Sequence, residues 1–193
     1  MDARVTLDIT EFGPALAAAR AGDQAAQGWL YRRYAPSVLG YLRGAGAREP
    51  EDLTSEVFTG MIRGLRRFHG EERDFRSWLF TVARRRLQDE RRRAAFRRQV
   101  PTEPANLPVL VADAEDPEEA AIRRSDAAEI LGALRELTEE QRHVLLLRFV
   151  ADLSVAETAR IMGKEEGAVK MLQRRGLARL SPLATAAARE PVT

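Results

Sequence analysis

The stretch Ser154–Leu180, SVAETARIMGKEEGAVKMLQRRGLARL, decides how the rest of the chain is read. Ser154 with Glu157 three residues on is a capping box, in which a hydroxyl and a carboxylate each satisfy the other's orphan backbone N–H and start a helix. That helix, Val155 to Met162, is short because Gly163 supplies a tight turn, and a longer helix then runs from about Glu165 to Leu180. This is the spacing of a helix-turn-helix. At 100° per residue, Val169, Leu172, Gly176 and Leu180 fall on one stripe of the second helix, and Gly176 lets a neighbour come close. Gly167, Lys170, Met171, Arg174 and Ala178 point the other way. An apolar inner stripe with a Lys/Arg outer face suits a major groove, its N-terminal half reading bases while Arg148 and Arg175 hold phosphates. The pattern fits a three-helix bundle with an ordinary solvated face as well.

Upstream of this motif, Thr138 and Gln141 form a second capping box, and a helix near Ile122 to Leu137 opens the C-terminal segment. Before it the composition changes. From Gln99 to Ala121 the chain carries Pro101, Pro104, Pro108 and Pro117 among acids and small residues, with no helical or alternating apolar period, which reads as an extended linker. Its 23 residues span up to about 75 Å when extended. Residues 1–98 hold 19 basic and 13 acidic side chains, the linker holds 6 acids and no base, and residues 122–193 hold 12 bases and 10 acids. The linker is therefore an acidic spacer between two near-neutral to basic heads.

In the N-terminal head, apolar residues recur in steps of three and four: Leu16, Leu30, Tyr34, Val38, Leu39, Leu42, then Leu53, Val57, Phe58, Met61, Ile62, Leu65, then Phe75, Trp78, Leu79, Val82, Ala83. Breaks at Gly44–Pro50 and Phe68–Asp74 divide this into about four helices. No strand alternation appears. The expected fold is all-α, with two small helical domains (1–98 and 122–183) joined by an extended acidic linker (99–121), and a flexible tail (184–193) that frays from about Ser181.

Composition narrows the function. The chain has 193 residues, 45% of them hydrophobic and 31% charged, so it can bury a core. It has no cysteine and only two histidines, His69 and His143, far apart in sequence, which leaves no thiolate or imidazole cluster for a metal, a cofactor or covalent catalysis. No catalytic site, metal site or cofactor is expected. No apolar run approaches the roughly 18 residues of a membrane span, and Met1–Thr10 has neither a basic nor an apolar leader region. A soluble, cytoplasmic protein is expected. Of its 31 basic residues only Lys164 and Lys170 are lysines, and arginine's planar fork suits phosphates and base edges, although a GC-rich genome favours arginine too.

Three further patches carry chemistry. Between Arg63 and Arg98 stand 13 arginines against 5 acids. On the helix starting near Phe75, Ser77, Thr81, Arg85, Gln88 and Arg92 form a polar stripe beside Arg84 and Arg91, combining phosphate anchors with base-edge donors and acceptors. Just before it, the loop Phe68-His69-Gly70-Glu71-Glu72-Arg73-Asp74-Phe75 sets arginine between aromatics, the requirement for holding an unstacked base. Phe68, Phe75 and Trp78 fit a simple core equally. The third patch is acidic: Glu49, Glu51, Asp52 and Glu56 line the start of a helix, where they favour its dipole and also suit a basic protein partner.

Asp52-Leu53-Thr54-Ser55-Glu56-Val57-Phe58, then Phe75-Arg76-Ser77-Trp78-Leu79-Phe80-Thr81-Val82-Ala83-Arg84, then Gly167-Ala168-Val169-Lys170 after the helix-turn-helix, resemble in order the two conserved regions of bacterial RNA polymerase sigma factors. With only these two heads, the chain resembles the extracytoplasmic-function (ECF) type. The resemblance implies that Asp52, Glu56 and Phe58 contact core RNA polymerase (β and β′ subunits). It implies that the loop holding Phe68, His69 and Arg73 takes a flipped promoter base, with Arg84, Arg85, Gln88, Asp89 and Arg92 along the −10 DNA. Lys170, Met171, Arg174, Arg175 and Arg148 would serve the −35 element. An anti-sigma factor is a further implied partner, with no membrane insertion by the chain itself. Arg85 stands where the family commonly has Asn, and Lys164-Glu165 where an apolar-Ser pair is usual. The competing reading is a conventional helix-turn-helix regulator that acts without being a polymerase subunit, which would dimerise and bind duplex DNA alone.

Overall fold

The computed structural model of the chain describes residues 11–97 and 129–187. The acidic linker, the first residues of the helix expected from Ile122 and the end of the tail lie outside them. Every regular element among the described residues is helical.

In the N-terminal head, α1 (Phe12–Arg20) turns into α2 (Gln24–Gly44) at Gly22, whose φ of 98° suits glycine. Asp23 caps α2 by accepting the Ala26 N–H at 2.7 Å. Next, α3 (Pro50–Leu65) opens on a proline, which lacks only an N–H that the first turn leaves unpaired anyway. Its entry is tied to α4 (Glu72–Arg97), because the Glu90 carboxylate accepts the backbone N–H groups of Arg48 and Glu49 at 3.1 and 3.4 Å. The apolar stripes meet at the centre: Leu30, Tyr41, Leu42, Met61, Leu65, Phe75, Leu79, Phe80 and Leu87 are fully buried. Each large side chain so buried contributes about 1.5–3 kcal/mol.

The C-terminal head comprises a helical segment over 129–135 (α5), α6 (Glu139–Leu145), α7 (Val155–Met162) and α8 (Glu166–Ala187). Both expected capping boxes form: Gln141 N–H to Thr138 Oγ1 at 3.3 Å with Thr138 N–H to Gln141 Oε1 at 3.1 Å, and Glu157 N–H to Ser154 Oγ at 3.2 Å with Ser154 N–H to Glu157 Oε2 at 2.7 Å. Gly163 ends α7 in the left-handed conformation (φ 63°, ψ 40°), and Lys164 N–H closes back onto the Ala159 carbonyl at 2.9 Å. The helix α8 continues past Ser181, where fraying is expected, to Ala187; Leu183, Ala184, Ala186 and Ala187 are strong helix formers.

One element departs from the expected helices. After Leu145 the backbone widens into a π-turn, Leu146–Val150, in which Ala151 N–H reaches the Leu146 carbonyl at 3.1 Å. Its side chains meet the other head. Gly40 and Gly44, one turn apart on α2, present bare backbone to it: a Cβ on Gly44 would lie 2.6 Å from a Leu146 methyl, and one on Gly40 3.4 Å from Val150. A single cluster of buried apolar residues thus runs through both heads, which lie side by side.

Candidate nucleic-acid and polymerase interfaces

On α8, Val169 is fully buried and Gly176 lies against Leu145, whose Cδ1 would be 3.0 Å from an added Cβ. This inner stripe turns Lys170, Met171, Arg174 and Arg175 to solvent together. Met171 is 40% exposed and its Sδ accepts from Arg174 Nη2 at 3.4 Å, so the two side chains lie along one face. Arg148 differs from these four. Half-buried in the π-turn, it donates Nε to Gln173 Oε1 at 3.1 Å and Nη1 to the Leu153 carbonyl, bracing α8 against the start of α7. Lys164 ties the turn before α8 to α6 through Glu140 at 2.6 Å, a role that its place in the sequence does not announce.

In the N-terminal head, the aromatics around the Phe68–Asp74 loop are interior. Phe68 is nearly buried, stacks on Trp78 with centroids 5.2 Å apart, and meets Phe75 edge-on at 5.6 Å. The benzo edge of Trp78 packs against Gly64, where a Cβ would come within 2.7 Å of the indole. The core reading therefore describes Phe68 and Phe75, and Trp78 is half-covered. His69 is exposed, and Glu72, the first residue of α4, anchors the loop by accepting from Arg33 at 2.7 Å and from the Tyr34 hydroxyl at 2.8 Å. Arg73 projects from this loop toward the other head.

Along α4, Arg85, Gln88 and Arg92 are exposed, with Arg84 and Asp89 half-buried beside them. One member of the expected polar stripe is not part of that surface: Ser77 is buried, while the half-buried Thr81 donates its hydroxyl to the Ser77 carbonyl at 2.8 Å. Asp89 pairs with Arg92, whose guanidinium holds its carboxyl below the usual range.

On α3, Asp52 and Glu56 are exposed, and Arg86 lies 3.9 Å from Glu56. Phe58 is 3% exposed. Its ring instead supports Tyr31, edge-on at 4.7 Å, and the exposed large apolar side chains of α2 and α3 are Tyr31 and Ile62, 45% and 42% exposed. The helical period places Ile62 with the core residues; only the packing of α2 on α3 leaves it outside.

The seam between the heads carries the remaining charges. Arg73 Nε donates to Glu157 Oε1 at 2.8 Å, Arg76 Nη1 to Asp152 Oδ2 at 2.6 Å, and Arg91 to Glu139. Burial pushes Glu157 up, but hydrogen bonds from Ser154 and Arg73 outweigh it and hold the carboxyl below the usual range. Among the described residues no cluster of His, Asp and Glu suits a metal ion.

Comparison with known proteins agrees with this layout. Residues 30–97 match Sigma-70 region 2 and residues 133–181 match Sigma-70, region 4. The chain is 40% identical over 173 residues to the ECF RNA polymerase sigma factor BldN of Streptomyces coelicolor, covering 85% of this chain; it spans 63% of BldN's length, just under two thirds. It is 36% identical over 159 residues to the ECF RNA polymerase sigma factor ShbA of Streptomyces griseus, covering 80% of this chain and 82% of that one. Among solved structures it is similar to CnrH, determined in complex with the cytosolic domain of CnrY, with a TM-score of 0.63 and 25% identity over 90% of this chain and 96% of that one. Region 2 falls on α2–α4 and region 4 on α5–α8, in family order, and the chain belongs to the ECF RNA polymerase sigma factors.

Proposed function

We propose that the chain directs promoter-specific transcription initiation as a subunit of RNA polymerase. In this reading 1–98 is the polymerase- and −10-binding head, 99–121 a spacer, 122–183 the −35-binding head, and 184–193 a tail. The observation that carries it is the pair of outward basic faces, on α4 and α8, in separate heads. Asp52 and Glu56 give α3 an exposed acidic face suited to a basic helical surface of core polymerase, Tyr31 and Ile62 add exposed apolar surface on the same head, and Phe58 supports Tyr31 from beneath. Arg84, Arg85, Gln88, Asp89 and Arg92 lie along the −10 strand, with His69 and Arg73 at the loop that receives an unstacked base and Phe68 supporting that loop from the core. Lys170, Met171, Arg174 and Arg175 read the −35 major groove, and Arg148 sets the pose of α8.

No step of nucleotide chemistry falls to this chain. A regulatory protein partner of the anti-sigma type is part of the reading, supported by the likeness to CnrH solved with CnrY. So is a cytoplasmic location: no helix of the described residues is long and apolar enough to cross a membrane. Run-off transcription from cognate promoters tests the function. Product should appear only when core polymerase and this chain are both present. Equal product without the chain would refute it.

A further inference from the structure

We propose that Phe96, at the far end of α4, is a further promoter-reading residue, which meets the C5-methyl group of a thymine in the paired DNA on the −35 side of the −10 element. The inference rests on the promoter-binding reading above and adds a specificity contact to it.

Phe96 is 69% exposed, more than any other large apolar side chain among the described residues. Its direction is fixed by the helix behind it. Ala83, Leu87 and Ala94 are buried and lie about 160–200° round α4 from Arg85, so the helix is still seated on the head just before Phe96. Arg85, Arg92 and Phe96 fall within about 40° of one another on the opposite side, and all three are exposed. The ring therefore ends the stripe on which these arginines and Gln88 offer donors to base edges.

Helix chemistry does not ask for phenylalanine here. It is a middling helix former, and apolar surface left in water contributes no burial. Its neighbours point to a polyanion as what covers it. The run Arg91-Arg92-Arg93-Ala94-Ala95-Phe96-Arg97 holds four arginines and no acid, and Arg92 and Arg93, one turn before the ring, are exposed. Asp89, the acid on this side of α4, is already paired with Arg92. A protein partner covering the ring has to bury guanidinium groups along with it. A duplex neutralises them with phosphates and still offers one apolar group, the thymine methyl, on its major-groove edge.

The place along the DNA follows from the course of the chain. The start of α4 adjoins the loop that receives the unstacked base, and its other end leads through the linker to the −35-binding head. The helix thus runs from melted DNA toward the paired spacer. From Phe75 to Phe96 the rise is about 31 Å, equal to roughly nine base pairs, so the ring reaches beyond the bases that face Arg85 and Gln88.

The test uses the full chain with core polymerase, on fork-junction DNA of a promoter that gives run-off product. One T·A pair is walked through the paired positions up to about ten upstream of the unstacked base, in either orientation, and each thymine is then replaced by deoxyuridine, which pairs alike but lacks the methyl. At one position the unaltered holoenzyme should bind the deoxyuridine form about threefold to fivefold more weakly, the worth of one buried methyl. Phe96→Ala should bind the thymine form more weakly by at least that factor and be indifferent to the exchange, and Phe96→Leu, which keeps an apolar tip, should retain part of the preference. Thermal unfolding and co-purification with core polymerase should be the same for all of these chains. A deoxyuridine effect absent at every position, or equal in the unaltered chain and Phe96→Ala, overturns the proposal. So does a loss of stability or of polymerase binding in Phe96→Ala, which sets the ring against protein instead. Scrambling the −10 element should abolish binding by every chain; binding that survives it refutes the promoter-binding reading itself, separately from the role of Phe96.

Discussion

Tyr41 of α2 and His143 of α6, 102 residues apart in sequence, are joined across the heads by a buried hydrogen bond of 3.0 Å between Oη and Nδ1. Burial pushes the Tyr41 hydroxyl up to about 12, so it stays protonated. With the Glu139 carboxylate beside Nε2 at 3.6 Å, the tautomer that fits is Nε2–H, in which Nδ1 accepts from the Tyr41 hydroxyl. The imidazole is neutral. Burial pushes it down to about 4, the nearby charges of Arg84 and Arg91 push in the same direction, and Glu139 opposes them.

Acid should therefore loosen the seam. When the heads part, the His143 ring returns toward its ordinary value near 6.5, while in the closed chain it resists protonation down to about 4. Below about pH 6.5 the open form binds more protons, so closure weakens as pH falls through that window and changes little above it. The separation between labelled heads, read at pH 7.5, 6 and 5, should lengthen on acidification. The His143→Gln variant should lose that slope.

Ser154→Ala should cost about 1 kcal/mol of stability, the usual loss for a helix cap. It leaves the Ser154 N–H to the Glu157 carboxylate but strands the Glu157 N–H. Thr138→Ala should behave alike. Chemical denaturation checks both, and no change at either position would show that the boxes contribute nothing.

Lys170→Ala and Arg174→Ala should each weaken −35 recognition by about 1–3 kcal/mol if the contact is to a base edge, less if to phosphate. Stability should not change, because both side chains are exposed. Arg148→Ala should reduce stability and promoter affinity together, since its guanidinium braces Gln173 and the Leu153 carbonyl. Promoter binding by holoenzyme, compared between cognate and scrambled −35 elements, separates the cases.

Charge reversal at Asp52 and Glu56 should reduce affinity for core polymerase at little cost to the fold, because both side chains are exposed and a charge in the first turn, such as that of Asp52, contributes only about 0.3–1 kcal/mol. Tyr31→Ala and Ile62→Ala should reduce it further. Phe58→Ala should instead destabilise the head, by about 3–5 kcal/mol, the usual cost for a buried aromatic. Co-purification with polymerase together with thermal unfolding distinguishes a surface role from a supporting one.

Much of this architecture is legible in local sequence. The capping pairs Thr138/Gln141 and Ser154/Glu157, the terminating Gly163, and the apolar steps in α3 and α4 act over three or four residues, within the reach of pattern. The π-turn is not legible, because a run such as Leu145-Leu146-Leu147 reads as uninterrupted helix and the widening depends on packing against Gly40 and Gly44. The burial of Phe58 and Ser77 and the exposure of Tyr31 and Ile62 depend on how α2 and α4 sit on α3. The acids at the seam between the heads are harder still. Nothing near Asp152 or Glu139 in the sequence marks an arginine more than forty residues away as its partner.

The turn at Gly163 bears on how such a protein can change its targets. The direction in which α8 leaves α7 is set by main-chain bonds, Lys164 N–H to Ala159 and Gly163 N–H to Arg160, by one left-handed residue without a side chain, and by the Arg148–Gln173 and Lys164–Glu140 ties. None of these involves an outward side chain of α8. Lys170, Met171, Arg174 and Arg175 can therefore be exchanged one at a time without redirecting the helix that presents them. If these residues read promoter DNA as proposed above, a new preference would lie a few substitutions away on an unchanged mount, leaving the scaffold under its own, separate selection.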